Sequence, residues 1–324
     1  MRKYLNTTGV PLSLAVFLAS DKYDHEEGVI SATSLIKPIR QLVLAGRVPP
    51  QDGLVDISTL VNSRMGTAIH DGIEGAWTGN YHEAMKALGY PQRVIDRVVI
   101  NPEPGTLTEG MIPVYLERRS RKQIGGYTVS GKFDFVAEGR LEDFKSTSVM
   151  TWIEGRSDMK YILQGSIYRW LNQDIITSDT MAIQFIFTDW SKPRAMQDPK
   201  YPQARTAPKE FDLMPLAETE SYIRNKLHML DTYIKAPEHE IPRCTDEDLW
   251  RKPPQWKYYR NPQKMTRSTK NFDNKQDAMI RLAQDGNVGT VVEHKGEVIA
   301  CRYCPGFMAC TQKDELMAAG DLKL

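Results

Sequence analysis

The stretch from Val129 to Ser148, VSGKFDFVAEGRLEDFKSTS, constrains the fold of this chain more tightly than any other. Apolar residues alternate into Glu138-Gly139, a two-residue turn signal, and a second alternating run follows, so the stretch reads as a β-hairpin. Counting outward from that turn pairs Ala137 with Arg140, Val136 with Leu141, Phe135 with Glu142 and Asp134 with Asp143. Directly opposite residues of an antiparallel pair share a face, with Cβ atoms ~4.5–5.5 Å apart. Two carboxylates at that separation repel unless a cation lies between them. Lys145, two residues beyond Asp143, returns to the same face. Stability does not call for such a cluster, whereas a divalent-metal site with a lysine beside it does.

Two helical patterns accompany the hairpin. In LVNSRMGTAIHDGIEGAW, Val61, Met65, Ile69 and Ile73 recur at helical spacing, and Gly66, His70 and Glu74 run beside them at intervals of four. In SDMKYILQGSIYRWLN, Ser157 is the expected N-cap, and Gln164 and Tyr168 project from one face a turn apart. Each feature alone has a plain structural explanation: an edge charge, a packed histidine, a solvated glutamine. Their order and spacing carry more than any one of them.

A Gly-x-x-x-His helix, a Gly-x-x-Asp strand, an Asp-x-Lys strand and a Gln-x-x-x-Tyr helix follow one another in that sequence. From His70 to Tyr168, and more loosely from Ser31 onward, the chain resembles the PD-(D/E)XK nucleases. The resemblance is to their RecB-type exonuclease branch, which includes CRISPR-adaptation nucleases and phage recombination exonucleases. It implies an α/β fold with a restriction-endonuclease-like core, a mixed sheet flanked by helices, followed by a C-terminal cysteine-cluster module. It also implies His70, Asp134, Asp143 and the backbone carbonyl of Phe144 as metal ligands, with Lys145 as the catalytic lysine. Gln164 and Tyr168 would shape the site and contact DNA, and Glu74 is a further candidate.

The chemistry of phosphodiester hydrolysis asks for these residue types. Mg²⁺ or Mn²⁺ held by carboxylates activates a water and stabilises the charge that develops on the phosphate. Asp134 and Asp143 meet the usual requirement of Mg²⁺ for one or two carboxylates, and His70 as a ligand suits Mn²⁺. A desolvated Lys145 with a lowered pKa would act as the base; a charged one would orient the water or the phosphate.

Cysteine is the second signal. The chain has four, Cys244, Cys301, Cys304 and Cys310, and the last three form a C-x2-C-x5-C run in CRYCPGFMAC. With no secretory leader, this usage points to a cytosolic chain with a metal site and away from a disulfide scaffold. Four thiolates suit Zn²⁺ or an iron–sulfur cluster. Iron–sulfur nucleases of the RecB type carry the same C-x2-C-x5-C ending, so the resemblance implies a structural [4Fe–4S] cluster, with Zn²⁺ as the alternative. Those relatives take their fourth cysteine from before the histidine, whereas here none precedes Cys244.

Net charge is only +1, so a globally basic nucleic-acid binder is not expected. A local one is, because residues 251–272 hold seven Lys or Arg and no acid. Trp250, Trp256, Tyr258, Tyr259 and Phe272 are interleaved with those charges, the mixture that grips phosphates and stacks on bases. Lys257 and Arg260 are the DNA-binding candidates there; packed aromatics in a solvated hairpin are the plain alternative. A smaller basic run, Arg118 to Lys122, precedes the hairpin as an expected solvated turn. No run approaches the ~18 apolar residues of a membrane helix.

The expected organisation is a nuclease core over residues 1–235 and a basic-aromatic, four-cysteine module over 236–324. A helix is expected over SATSLIKPIRQLVLAGR with Pro38 in its first turn or kinking it, and another over YHEAMKALG. Strands are expected at RVVINP, MIPVYLERRS and MAIQFIFTDW, an exposed loop over 191–213, and a helix from about 215 to 235. A helix over DNKQDAMIRLAQDG and a hairpin over VGTVVEHKGEVIACRYC complete the tail. The functional expectation is a metal-dependent DNA exonuclease acting on DNA ends in recombination, repair or end processing. The resemblance implies a phage-encoded enzyme in the cytoplasm of a bacterial host, working with a single-strand annealing or recombination protein. The alternative is a catalytically silent DNA-end-binding or adaptor protein on the same scaffold.

Overall fold

The computed structural model describes residues 4–20, 28–49 and 55–324. The chain forms two compact units, Met1–Ile36 with Gln51–Leu227, and Lys37–Pro50 with His228–Leu324. The helix expected over SATSLIKPIRQLVLAGR is broken at Pro38 into Ala32–Leu35 and Ile39–Ala45, because proline cannot donate the helical hydrogen bond. No helix among the described residues is long and apolar enough to cross a membrane.

The first unit is built on a mixed seven-stranded sheet flanked by helices. Its strands are β1 (Val29–Ser31), β2 (Val98–Ile100), β3 (Ile112–Ile124), β4 (Tyr127–Ala137), β5 (Arg140–Thr147), β6 (Thr180–Phe187) and β7 (Thr206–Asp212). They lie in the order β2-β3-β4-β5-β6-β7, with β1 parallel to β4 beyond its pairing with β5. The turn at Glu138 (φ 50°) and Gly139 (φ 80°) has two left-handed residues, the conformation that matches strand twist in a two-residue hairpin. It produces the counted pairs Ala137↔Arg140, Val136↔Leu141 and Phe135↔Glu142. Strands β5 and β6 are parallel, which requires a long crossover, and helix α2 lies within it.

Three long helices belong to this framework: α1 (Val61–Gly79), α2 (Asp158–Leu171) and α3 (Leu216–Tyr233). The main core joins the sheet to α2 and the first part of α3 through Phe133, Leu141, Phe185, Ile167, Trp170 and Ile223. Fully burying such side chains contributes about 1.5–3 kcal/mol each. Helix α1 is shallower: Ile69 and Ile73 are half-buried, but Val61 and Met65 are exposed, so the apolar stripe read from sequence is only partly covered.

Helix α2 approaches the sheet closely because Gly131 has no side chain. A Cβ there would stand 2.7 Å from Leu171 Cδ1 and 2.8 Å from Tyr168 Cδ1. Gly131→Ala is therefore expected to destabilise the protein by about 1–3 kcal/mol through overpacking. Thermal denaturation would read this as a fall in Tm; an unchanged Tm would mean that α2 is not seated against Gly131.

Residues 191–213 are not the expected loop. They form a short helix, Lys192–Gln197, and the edge strand β7, antiparallel to β6. Burial alternates along β7, and an edge position tolerates Pro208 because proline's missing N–H need not bond.

In the second unit, β8 (Gln255–Tyr259), β9 (Lys270–Phe272) and β10 (Thr290–His294) form an antiparallel sheet in the order β9-β8-β10, and helix α4 (Lys275–Gln284) accompanies it. The expected terminal hairpin is absent among the described residues: β10 pairs with β8, and the chain beyond it enters the cysteine loop without a strand. Gly306 brings that loop against helix Ile39–Ala45, where a Cβ would stand 2.8 Å from Leu44 Cβ.

Candidate functional site

Helix α1 carries His70 to the region where β3, β4 and β5 meet. Its Nε2 lies 3.2 Å from the Phe144 carbonyl oxygen, and its Nδ1 lies 3.3 Å from Glu117 Oε1 and 3.5 Å from Asp134 Oδ2. Ligand atoms of His70, Glu117 and Asp134 all fall within 4.8 Å of one another, so these three side chains could hold a divalent cation. The hydrogen bond to Glu117 raises the His70 pKa, outweighing burial, which opposes it.

Glu117 was not among the residues expected from sequence. It interrupts β3, where Leu116↔Phe135 and Arg118↔Phe133 pair but no bridge joins Glu117 to Asp134. Its φ of 48° lies in the left-handed region, costly for a residue with a Cβ and characteristic of sites where backbone strain is tolerated for function. A usable signal existed. Gly125-Gly126 is a second two-residue turn, with φ 57° and 82°, and counting outward from it sets Glu117 opposite Asp134.

Asp134 and Asp143 do not form the bridged pair expected in the hairpin. The β4–β5 ladder ends at Phe135↔Glu142, and beyond it the Phe144 N–H donates to Asp134 Oδ2 at 3.0 Å. Asp143, only 2% exposed, is set against Lys145 and does not join the triad. Its Oδ2 has the Lys145 ammonium beside it and no other polar partner among the described residues. Burial, reinforced by the Asp143 charge, pushes the Asp134 pKa up to about 7. For Lys145, burial alone would lower the pKa, but the carboxylates of Asp143 and Asp134 prevail and raise it. Lys145 is thus held as a cation. This excess of carboxylate over fixed cation is what a divalent ion would neutralise.

Around this centre, Gln164 Nε2 donates to the Tyr168 hydroxyl at 2.8 Å. Tyr168 is buried, with its ring against Gly131. Tyr161, unremarked in the sequence, is close enough to Lys145 for each to influence the other's titration. Glu74 is half-buried one turn beyond His70 and is not part of the triad.

The second unit gathers all four cysteines. Cys244, Cys301, Cys304 and Cys310 are free thiols lining one cavity of about 30 Å³, with Arg40 and Gln312 beside them. Gln312 is buried and makes two hydrogen bonds with the Cys244 backbone, accepting from its N–H and donating to its C=O, each 2.9 Å. Arg40 is 3% exposed; its Nε donates to Cys310 Sγ at 3.3 Å and its Nη1 to the Ile241 carbonyl at 2.9 Å, while its Nη2 pairs with Glu238. Burial, with the other thiols adding to it, pushes Cys244 up to about 12 and Cys301 up to about 11.

The basic-aromatic segment is largely committed to structure. Tyr258 is buried, its hydroxyl donating to Asp285 Oδ2 at 2.9 Å; Tyr259 is buried; and Lys275 of α4 lies over the Trp256 ring. Tyr258 and Tyr259 are thus packed into the module, while Trp256 is half-buried. Lys257 lies half-buried in β8, Arg260 is exposed just beyond it, and Trp250 remains 47% exposed.

No family model and no curated protein sequence matches the chain. Among solved structures, SSO0001 is similar at a TM-score of 0.37 and 16% identity, covering 65% of this chain and 80% of its own. A phage-related exonuclease from Haemophilus somnus 129PT is similar at a TM-score of 0.26 and 15% identity, covering 39% of this chain and 61% of its own. Likenesses this distant assign neither fold family nor activity to the chain.

Proposed function

We propose that this chain is a metal-dependent DNA exonuclease of the RecB, PD-(D/E)XK type, hydrolysing phosphodiester bonds at DNA ends. The observation that carries the reading is the half-buried group of His70, Glu117 and Asp134 beside an ion-paired, charged Lys145. Mg²⁺ or Mn²⁺ bound there would supply an activated water and stabilise charge on the reacting phosphate. The Phe144 carbonyl, already within reach of His70, is placed to complete the ligand set. Asp143 holds Lys145 in position, and the ammonium is placed to hold a non-bridging phosphate oxygen. Gln164, hydrogen-bonded to Tyr168, would line the same site. This division of labour keeps Asp134 as a ligand and gives Asp143 a positioning role.

The four-thiol pocket is proposed to hold a structural [4Fe–4S] cluster, with Zn²⁺ the competing occupant. Four free cysteines around one cavity fit either, and the buried Arg40 guanidinium offsets the negative charge that four thiolates would bring. Cys301→Ala is expected to bleach the visible absorbance of anaerobically purified protein and lower its Tm. Colourless wild type with bound zinc would select Zn²⁺, and an unchanged Tm with no metal in either protein would leave the cysteines structural bystanders.

The test of function is digestion of end-labelled linear single- and double-stranded DNA with EDTA, Mg²⁺ or Mn²⁺. Metal-dependent loss of nucleotides from the ends supports the reading, and the product ladder gives the polarity. Folded, metal-replete protein that binds ends and cuts nothing would replace it with the adaptor reading.

A further inference from the structure

Two buried polar side chains stand beside the four cysteines, and each holds one of the outer two in sequence. Arg40 lies on the helix Ile39–Ala45, and Gln312 lies in the first turn of the helix Thr311–Ala318. Both belong, with all four cysteines, to the second unit. Burying polar groups this deeply costs free energy unless they are hydrogen-bonded. Both are, and their partners are the cysteines and the chain around them.

Gln312 acts on Cys244. Its amide accepts from the Cys244 N–H and donates to the Cys244 C=O, each at 2.9 Å, across 68 positions of sequence. A neighbouring strand would make the same pair of bonds; here a side chain supplies them. Gln312 follows Cys310 by two residues, so this clamp sets the remote cysteine against the C-x2-C-x5-C run. Arg40 acts on Cys310. Its Nη1 donates to the Ile241 carbonyl at 2.9 Å and its Nη2 pairs with Glu238. Glu238 in turn accepts from the Thr311 N–H at 3.1 Å and from the Thr311 hydroxyl at 2.7 Å. A planar guanidinium fixed at that edge leaves its Nε–H one direction, and it points at Cys310 Sγ, 3.3 Å away. Because Glu238 shares the charge, what distinguishes Arg40 from any nearby cation is this aimed N–H. A neutral thiol is a weak acceptor, whereas a thiolate accepts a charge-assisted bond. The bond is therefore strongest when Cys310 is a metal ligand.

We propose that Arg40 and Gln312 are the positioning residues of the four-cysteine site. Gln312 presents Cys244 to the other three cysteines, and Arg40 donates a hydrogen bond to the metal-bound Cys310 thiolate. The proposal rests on the reading of that pocket as an iron–sulfur or zinc site and adds what holds its ligands. The two residues differ in what they touch. Gln312 touches backbone alone, so it governs how firmly metal is retained. Arg40 touches sulfur, so it governs retention and also the electron density that the sulfur lends the metal. Hydrogen bonds to ligand sulfurs help set the potential of iron–sulfur clusters, and lost supporting partners weaken metal sites generally.

The test follows release of iron or zinc from the anaerobically purified whole chain to excess chelator. Arg40→Met and Gln312→Met are each expected to lose metal about 10–100-fold faster than wild type. A second readout separates the two roles. In iron-bearing protein it is the midpoint potential; in zinc-bearing protein it is the sulfur-to-cobalt charge-transfer band after replacement with Co²⁺. Arg40→Met should move the potential to more negative values, or the band to lower energy, because the sulfur then donates more freely. Gln312→Met should move neither, and Arg40→Lys, which keeps the charge without the fixed fork, should fall between Arg40→Met and wild type. Faster release from Arg40→Met with an unmoved potential or band would make Arg40 a structural tether and overturn its role. Unchanged release from Gln312→Met would overturn the clamp on Cys244. If Arg40→Met fails to fold, the potential or band of Arg40→Lys decides the matter, and a wild-type value overturns the bond. Metal-bearing wild type with unaltered variants would sink the proposal and leave the metal reading standing. Wild type that carries neither iron nor zinc, and takes up neither Zn²⁺ nor Co²⁺, would retire both.

Discussion

Lys145→Ala is expected to slow DNA hydrolysis by roughly 10²–10⁴-fold while leaving strand binding in place. The expectation comes from the charge state the structure imposes. A lysine acting as a base needs a lowered pKa, and burial would provide one if nothing opposed it. Here Asp143 and Asp134 do oppose it, and the Lys145 pKa moves up. The side chain is thus a fixed cation whose value lies in where it stands. Lys145→Arg keeps the charge but moves it, so it should recover only part of the rate, whereas Lys145→Met should recover none. Asp143→Ala should cost a similar factor by freeing the ammonium from its position. These rates are read from single-turnover digestion of an end-labelled strand. Full activity in Lys145→Ala would remove the lysine from the mechanism.

The second large effect has two opposite signs in one variant. Asp134→Asn should abolish metal-dependent cleavage and yet stabilise the metal-free protein above neutral pH. In the folded state Asp134 titrates at about 7, against an unfolded value near 3.9. Between those values the folded chain holds a proton that the unfolded chain has lost. Stability therefore falls as pH rises through that window, and the full penalty is present above pH 7. His70 adds to the trend, because its raised pKa gives stability that is lost as pH rises through its folded value. Metal-free wild type should thus melt at a higher temperature at pH 5 than at pH 8, with a free-energy difference of a few kcal/mol. Asp134→Asn should flatten the profile, since the amide oxygen can still accept from the Phe144 N–H and no charge is buried. Millimolar Mg²⁺ or Mn²⁺ at pH 8 should raise the Tm of wild type alone, because an ion that binds only the folded state stabilises it by mass action. A flat wild-type profile would mean that the carboxylates are better solvated than their burial indicates.

What was legible in the sequence was local. Glu138-Gly139 determined the hairpin and three of its pairs, since a two-residue turn leaves one register that buries the apolar face. Pro38 determined the break between two helices, and helical spacing placed His70, Gln164 and Tyr168 on α1 and α2. What distant chain meets each face was decided only by tertiary packing. Glu117 can be counted opposite Asp134 from Gly125-Gly126, but the left-handed backbone that carries it in mid-strand is announced by no alternation pattern, and only the fold brings His70 to the pair. Asp143 is expected from the hairpin to face Asp134, but the ladder ends one pair earlier and the carboxylate turns to Lys145. Tyr258 and Trp256 have the composition of a base-stacking surface, yet Tyr258 is buried and bonded to Asp285 at the end of α4 and Lys275 of α4 lies over the Trp256 ring, because a small sheet gains stability by packing an apolar face against a helix. Cys310 finds Arg40 across 270 positions of sequence, a contact set by how the second unit closes on itself. Period and turn chemistry act over a few residues and so can be read along the chain. Contacts between remote segments depend on which packing buries the most apolar surface with its polar groups satisfied, and only the folded structure makes that choice.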